Sequence, residues 1–345
     1  MKPKHLITFA VLCLLVGLPM GLLIKAEAQR KNEGTRQAPA STYHFSGPYT
    51  HENLTVFLVH GPDQTKKTFL TLEEALAQKK VRVYETKNVN ELAIRNLSNQ
   101  DIYVQSGDIV RGGEQDRTIS VDFIVPPKSR RIPIAAFCVE SGRWNKRGNE
   151  DSATFSGSVN TLALKDLKLA AKTSDSQQAV WENVTVAQEK LARAGGEQVM
   201  NSTSSFQITV EDSKLKATTE AYLKSLSQIV RGKSDVIGFV FAINGEINSA
   251  DIYATRALFL KLWPKLLNAS AIEAIAELNE EVSPSPVSKE SVQEFLAESE
   301  QPDATTKQVT ARVRVVTRQD DKNIFFETRD RLLNDNWIHR NYIRK

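Results

Sequence analysis

The residues best equipped for chemistry lie close together, between Gln105 and Trp144. Gly112 and Gly113 sit between Arg111 and Arg117, with Gln115 in the same loop. Cys138 and Glu140 follow two residues apart, and Arg143 and Trp144 close the stretch. Two consecutive glycines let backbone amides approach a ligand and form an anion nest. Arg111 and Arg117 add charge-assisted hydrogen bonds to phosphate or carboxylate. The same residues also suit a tight turn or bulge between strands, with Arg117 on the surface. This is not the phosphate-binding loop of a nucleotide hydrolase, because no Lys-Ser/Thr pair follows and no helix opens there.

Cys138 and Glu140 share one face of a strand. A nucleophilic Cys138 needs a base, and the histidines beyond the N-terminal segment (His44, His51, His60 and His339) all fall outside the stretch. Glu140 or an arginine would have to activate the thiol; a buried strand cysteine is the simpler reading. Glu140 suits a base or a ribose-hydroxyl acceptor, Arg143 an anion clamp and Trp144 a stacking face. A Glu140–Arg143 ion pair under a packed Trp144 would equally pin a strand-to-loop turn. One cysteine, no His-x-His and no carboxylate cluster give poor metal-ligand spacing, so neither a metal nor a cofactor is expected.

These residues need elements to hold them. Ile102–Gln105 reads as a strand turned by Ser106-Gly107-Asp108. Thr118–Val125 reads as a second, stopped by Pro126-Pro127, and Arg131–Val139 as a third that delivers Glu140. Upstream, Leu54–Val59, Val81–Glu85 and Leu92–Leu97 are β-prone runs. Thr71-Leu72-Glu73-Glu74 is a capping box opening a short helix to Lys79. Downstream, Ser174-Asp175-Ser176-Gln177 is a second box, with Val180, Val184, Ala187 and Leu191 at helical spacing behind it. Ser205–Val210 alternates as a strand, and Lys214–Val230 is a helix with Tyr222, Leu223, Leu226 and Val230 on one face. Val236–Ile243 is almost continuously apolar, which predicts a central strand, and Asn244-Gly245 turns it back into Glu246–Tyr253. Thr255–Glu281 is a long helix bent or restarted at Pro264. A linker at 283–286, a short helix Ser288–Ser299 and a hairpin of Lys307–Thr317 with Asn323–Glu327 follow. The basic tail Arg340–Lys345 reads as a solvated end, with Trp337 and Tyr342 to dock it. Strands first and mixed elements after predict an α+β fold, a β-rich N-terminal half packed against a mixed helix/strand C-terminal half.

The 345 residues are 41% apolar and 25% charged, the balance of a globular protein that can bury a sizeable core. Lys2 and Lys4, an apolar run Leu6–Ile24 and Ala26-Glu27-Ala28 are the parts of a signal peptide cleaved after Ala28. The run is also long enough for an uncleaved anchor, so contact with a membrane is expected only if it stays on. The remainder is expected to be secreted or periplasmic, or to face outward on that anchor. Setting aside Lys2, Lys4, Lys25 and Glu27 lowers the formal charge from +4 to +2. That near-neutral chain gives no electrostatic case for nucleic acid. Cys138 is then the one cysteine left, which excludes an intramolecular disulfide. Residues 29–42 are polar and aperiodic, a flexible tether.

Gly107-Asp108, Arg111-Gly112-Gly113, Gln115 with Arg117, Val125-Pro126, Ile132-Pro133 and Cys138-Val139-Glu140 with Gly142-Arg143-Trp144 resemble a known family. It is the ARG and rhodanese-phosphatase-superfamily-associated protein domain, where ARG stands for ADP-ribosylglycohydrolase. The resemblance continues through Gln178-Ala179-Val180-Trp181 and residues 235–275, which places the domain at 43–281. Residues 282–345 are then a linker, a short helix and a hairpin packing on it. The resemblance implies an association with ADP-ribose and phosphate chemistry and assigns no catalytic residue. The expected function is an exported domain that binds a small anionic ligand, phosphate- or nucleotide-like. Arg111, Gly112, Gly113, Gln115, Arg117, Arg143 and Trp144 would hold that ligand. The alternatives are a hydrolase of an ADP-ribose or phosphate derivative, with Glu140 and Cys138 as its catalytic candidates, and a protein–protein interaction domain.

Overall fold

The computed structural model of the protein describes residues 42–140, 151–174, 176–195, 206–279 and 286–345. In chain order these form β1 (His44–His51), β2 (Leu54–His60), β3 (Leu70–Thr71), α1 (Leu72–Ala77), β4 (Val81–Asn88), β5 (Glu91–Asn96), β6 (Ile102–Val104) and β7 (Asp108–Gly112). Then come β8 (Arg117–Ile119), β9 (Phe123–Val125), β10 (Ile132–Cys138), β11 (Thr154–Leu162), α2 (Lys165–Thr173), α3 (Gln177–Gly195), α4 (Phe206–Val210) and α5 (Ser213–Leu226). The chain ends with β12 (Val236–Ile243), β13 (Glu246–Tyr253), α6 (Arg256–Ala276), α7 (Lys289–Ser299), β14 (Ala304–Gln308), β15 (Val313–Gln319), β16 (Asn323–Asp330) and β17 (Asn336–Arg344). The fold is α+β, with a barrel in its N-terminal half and most helices after it.

Three sheets organise the strands. An eight-stranded sheet runs β1-β2-β12-β13-β17-β16-β15-β14. Strands β10-β5-β4-β11-β7-β8 close into a barrel, and β3-β6-β9 form a small third sheet. The barrel core of Val83, Leu92, Ile94, Val110, Ile119, Ala136 and Phe155 is continuous with the small sheet and α1. The capping box of α1 is present in full: Glu74 N–H donates to the Thr71 hydroxyl, and Thr71 N–H donates to the Glu74 carboxylate. One face of the large sheet presents Leu54, Val56, Leu58, Phe239, Phe241 and Tyr253 to α6 and the α2, α3 and α5 helices. Its other face packs Phe57, Val240, Ile252 and Tyr342 against Val292, Phe295 and Leu296 of α7.

Strand β12 is buried along its whole length, as its apolar run predicts. The turn after it has positive φ at both Asn244 and Gly245, which matches the strand twist of a two-residue hairpin. At Gly238 a methyl group would stand 2.5 Å from the Asp251 carbonyl oxygen and 2.8 Å from the Ile252 Cα on β13. Both obstacles are backbone, so no side chain can swing aside. Gly238→Ala is therefore expected to cost about 1–3 kcal/mol of stability by overpacking, read as a lower urea midpoint with an unchanged m-value.

Several expectations change. Thr118–Val125 is two strands in different sheets, β8 in the barrel and β9 outside it, and the break between them carries Asp122. Residues 206–210 form the helix α4 rather than a strand; five alternating residues do not separate the two periods. Residues 165–173, unassigned from sequence, form α2. The boundary at 281 does not divide the fold: β17 hydrogen-bonds to β13 along Ser249–Tyr253 and lies inside the large sheet. The tail is likewise no solvated end, because His339–Ile343 are buried. Residues 1–41 and 141–150, with the expected signal, tether, Arg143 and Trp144, lie outside the described residues. Among the described residues no helix is long and apolar enough to cross a membrane.

Candidate functional site

The glycine loop joins β7 to β8 and is held from inside. The Gly112 amide donates to the Asp116 carboxylate at 3.1 Å, and the Gly113 amide to the Asp151 and Thr154 carbonyls. Gly113 has φ of +62°, and a Cβ there would lie 2.6 Å from the Phe155 ring, so only glycine fits the position. Asp116 and Gln115 are buried. The end of β10 is stitched to the same loop: Val139 N–H donates to the Asp116 carbonyl, and Asp116 N–H to the Glu140 carboxylate at 2.9 Å. Helix α3 clasps this junction. Gln177 exchanges two hydrogen bonds with the Cys138 backbone, and the Trp181 indole donates to the Glu140 carbonyl.

Cys138 and Glu140 are both buried. Burial pushes the Cys138 thiol up to about 11, although the Arg117 guanidinium pulls it back down. Arg117 crosses the barrel. It stands on β8, and its Nη2 reaches both Glu85 carboxylate oxygens at 3.1 Å on β4, which is three strands away in either direction round the ring. Its Nη1 donates to the Val89 carbonyl at 2.7 Å. Arg117 is thus not on the surface but sealed inside the barrel, with 1% exposure.

Arg111 points elsewhere. Its guanidinium is 40% exposed and pairs with Glu211 at 3.3 Å. Both residues line a pocket of 350 Å³, with Asn160 and Thr161 of β11, Lys216 and Glu220 of α5, and Asn268 and Ile272 of α6. The structure therefore places Gly112, Gly113, Gln115, Cys138, Glu140 and Arg117 in one buried junction, and Arg111 alone of the described candidates on an open cavity.

A second constellation was not visible in the sequence. Where the barrel meets the large sheet, His339 of β17 lies between two carboxylates, Nδ1 2.7 Å from Asp122 and Nε2 2.9 Å from Asp251. Tyr253 and Thr328 face His339 from the adjoining strands in register. The Tyr253 ring stacks on the imidazole at 4.5 Å, and the Thr328 hydroxyl donates to Asp122. Asn341 donates to Asp251, and Ser106 N–H donates to Asp122. Next to them Lys265 of α6 pairs with Asp108 at 2.6 Å, both side chains almost fully buried. Helix α2 brings Lys168 and Lys172. The Lys172 ammonium donates to Asn341 at 3.2 Å and lies 4.0 Å from the centre of the Phe326 ring.

Burial alone would lower the His339 pKa, but the Asp122 charge and hydrogen bond, with Asp251 behind them, outweigh it and raise it. Burial likewise would raise Asp122; His339 outweighs it and holds the carboxyl well below the usual carboxylate range. With a carboxylate at each ring nitrogen, the imidazole is placed to donate through both of them when it is protonated. Among the described residues no group of three or more His, Cys, Asp or Glu side chains could hold a metal ion.

These features define an α+β domain in which a closed barrel and a mixed-order sheet share a buried charged seam. The chain matches the ARG and Rhodanese-Phosphatase-superfamily-associated Protein domain over residues 42–343, and it belongs to that family. The match runs through the last four strands, as the pairing of β17 with β13 requires. No curated protein and no solved structure matches the chain.

Proposed function

We propose that this chain is an exported binding domain for a small anionic ligand, phosphate- or nucleotide-like, held in the pocket beside Arg111. The observation that carries this reading is the 350 Å³ pocket onto which the strand of the glycine loop projects Arg111. Its size is within the range of small-molecule sites, about 300–1,000 Å³. Arg111 and Lys216 supply positive charge to the anionic group. Asn160, Asn268 and Glu220 can bind hydroxyls, and Val210, Leu223 and Ile272 offer an apolar wall. The Arg111–Glu211 pair is two-fifths exposed on both sides, so solvent screening leaves it worth about 0–1 kcal/mol. A phosphate can compete with Glu211 for the guanidinium. In this reading Gly112, Gly113, Gln115 and Arg117 hold the strand that presents Arg111, and Arg143 and Trp144 are the further clamp and stacking face. Buried Cys138 and Glu140 support binding rather than turnover.

The test is thermal unfolding of residues 29–345 with ADP-ribose, nucleotides, sugar phosphates and inorganic phosphate. A ligand at about a hundred times its dissociation constant adds roughly 2.7 kcal/mol, a shift of several degrees. Arg111→Met is expected to abolish the shift while changing unliganded stability by no more than about 0.5 kcal/mol. Arg143→Ala in the same assay reads the contribution of the clamp. A panel that moves nothing, or a shift that survives Arg111→Met, would overturn the assignment.

A further inference from the structure

Lys172 belongs to two environments at once. It is a member of the buried seam, through its hydrogen bond to Asn341 and its contact with Phe326. It also lines a separate pocket of 130 Å³ with Ser120, Val121, Phe123, Ile134, Ala135 and Val309. That pocket is walled mainly by apolar side chains of the β8–β9 connection, β10 and the end of β14. Its volume suits a molecule of a few heavy atoms.

Among the described residues no carboxylate pairs directly with the Lys172 ammonium, whose hydrogen bond goes to the Asn341 amide oxygen. Asp122, on the β8–β9 connection, and Asp251, on β13, carry the two negative charges it feels most. His339 holds both of those carboxylates by hydrogen bonds, and Lys168, one helical turn before Lys172, adds its charge to Asp251. Lys172 therefore shares both carboxylates with His339 and Lys168 and pairs with neither directly. Lys307 lines the same pocket. Asn341 and Phe326 solvate an amine but neutralise nothing.

We infer that Lys172 is a reactive amine that forms an imine with a small aldehyde or ketone seated in the 130 Å³ pocket beneath β14. The neutral amine adds to the carbonyl carbon and gives a carbinolamine. Loss of the carbonyl oxygen as water, with the two N–H hydrogens, leaves the C=N bond. No oxidant or metal enters the balance. The apolar wall excludes bulk water from the imine, and the aromatic face of Phe326 stabilises its protonated form. Burial, with Lys168 adding to it and Asp122 opposing it, brings the Lys172 pKa down to about 8. At pH 8 such an amine is neutral on the order of a hundred times more often than an exposed lysine titrating near 10.4. This site is separate from the pocket at Arg111 and stands or falls independently of it.

The test is reductive trapping. The protein is incubated with propanal and sodium cyanoborohydride between pH 6 and 10, and the modified lysines are located by peptide mass spectrometry. Lys172 is expected to be alkylated first, at least about tenfold ahead of the exposed lysines at pH 8, with a rate that rises through a midpoint near that pH. Lys172→Arg keeps a positive charge in the seam and is expected to melt near the wild type while losing the early adduct. Adducts spread over surface lysines with Lys172 no faster than the rest would overturn the inference. So would labelling of Lys172 only after denaturation. Both outcomes are read on the wild-type protein, so the test holds even if the variant folds poorly.

Discussion

His339→Leu is expected to lower folding stability by about 3–5 kcal/mol, the cost of removing one partner from a buried ion pair. Leucine fills most of the imidazole volume, so the loss is electrostatic rather than a cavity. It leaves Asp122 and Asp251 facing each other across an apolar side chain, each about 3% exposed. Neither carboxylate can return to water without separating the barrel from the sheet. Urea unfolding at pH 6 reads the effect as a drop in midpoint. An unchanged midpoint would mean that the seam makes no net contribution to the fold.

The pH dependence of that loss has a defined sign. The folded His339 pKa is raised, so its contribution is complete below the unfolded value of about 6.5 and is lost as pH rises through the folded value. The folded Asp122 and Asp251 values are lowered, so their contribution is complete above the unfolded value of about 3.9 and is lost as pH falls toward the folded ones. The stability difference between wild type and His339→Leu is therefore expected to be greatest between about pH 4 and 6.5. It shrinks on either side. A difference that grows steadily from pH 6.5 to 9 would contradict an imidazolium at this position.

The seam was illegible in the sequence for a reason visible in its separations. His339 meets Asp122 across 217 residues and Asp251 across 88. Sequence patterns report what neighbours do at a period of two or 3.6 residues, and such contacts have no period. The features read correctly were local ones. The Thr71–Glu74 box needs only four residues, the Asn244-Gly245 turn only two, and β12 announces its burial by its own side chains. The tail failed on the same ground. Arg340 and Arg344 look solvated in a basic hexamer, yet Arg340 is buried against Glu327 and lies over the Trp337 ring. Thr118–Val125 looked like one strand because its apolar residues nearly alternate. Only the closure of the barrel around β8 shows that the chain must leave it at Ser120, and that departure is what sets Asp122 under His339.

The glycine loop shows how far residue type alone can reach. Arg111 and Arg117 flank it almost symmetrically in sequence, and each was an equal candidate for an anion. Their strands separate them. Arg117→Met is expected to cost about 3–5 kcal/mol, because it strands the Glu85 carboxylate inside the barrel, 3% exposed, with its guanidinium partner gone. Arg117→Lys is expected to recover part of this and not all. A single ammonium can meet Glu85 or the Val89 carbonyl, whereas the guanidinium fork meets both sides of the loop at once. Arg111→Met, on the open pocket, is expected to leave the urea midpoint nearly unmoved. The two arginines thus make a paired experiment: one variant loses the barrel and the other loses the ligand. An Arg117→Met protein that unfolds at the wild-type midpoint would place that side chain in solvent and remove the tie across the ring, since no exposed pair yields such a cost.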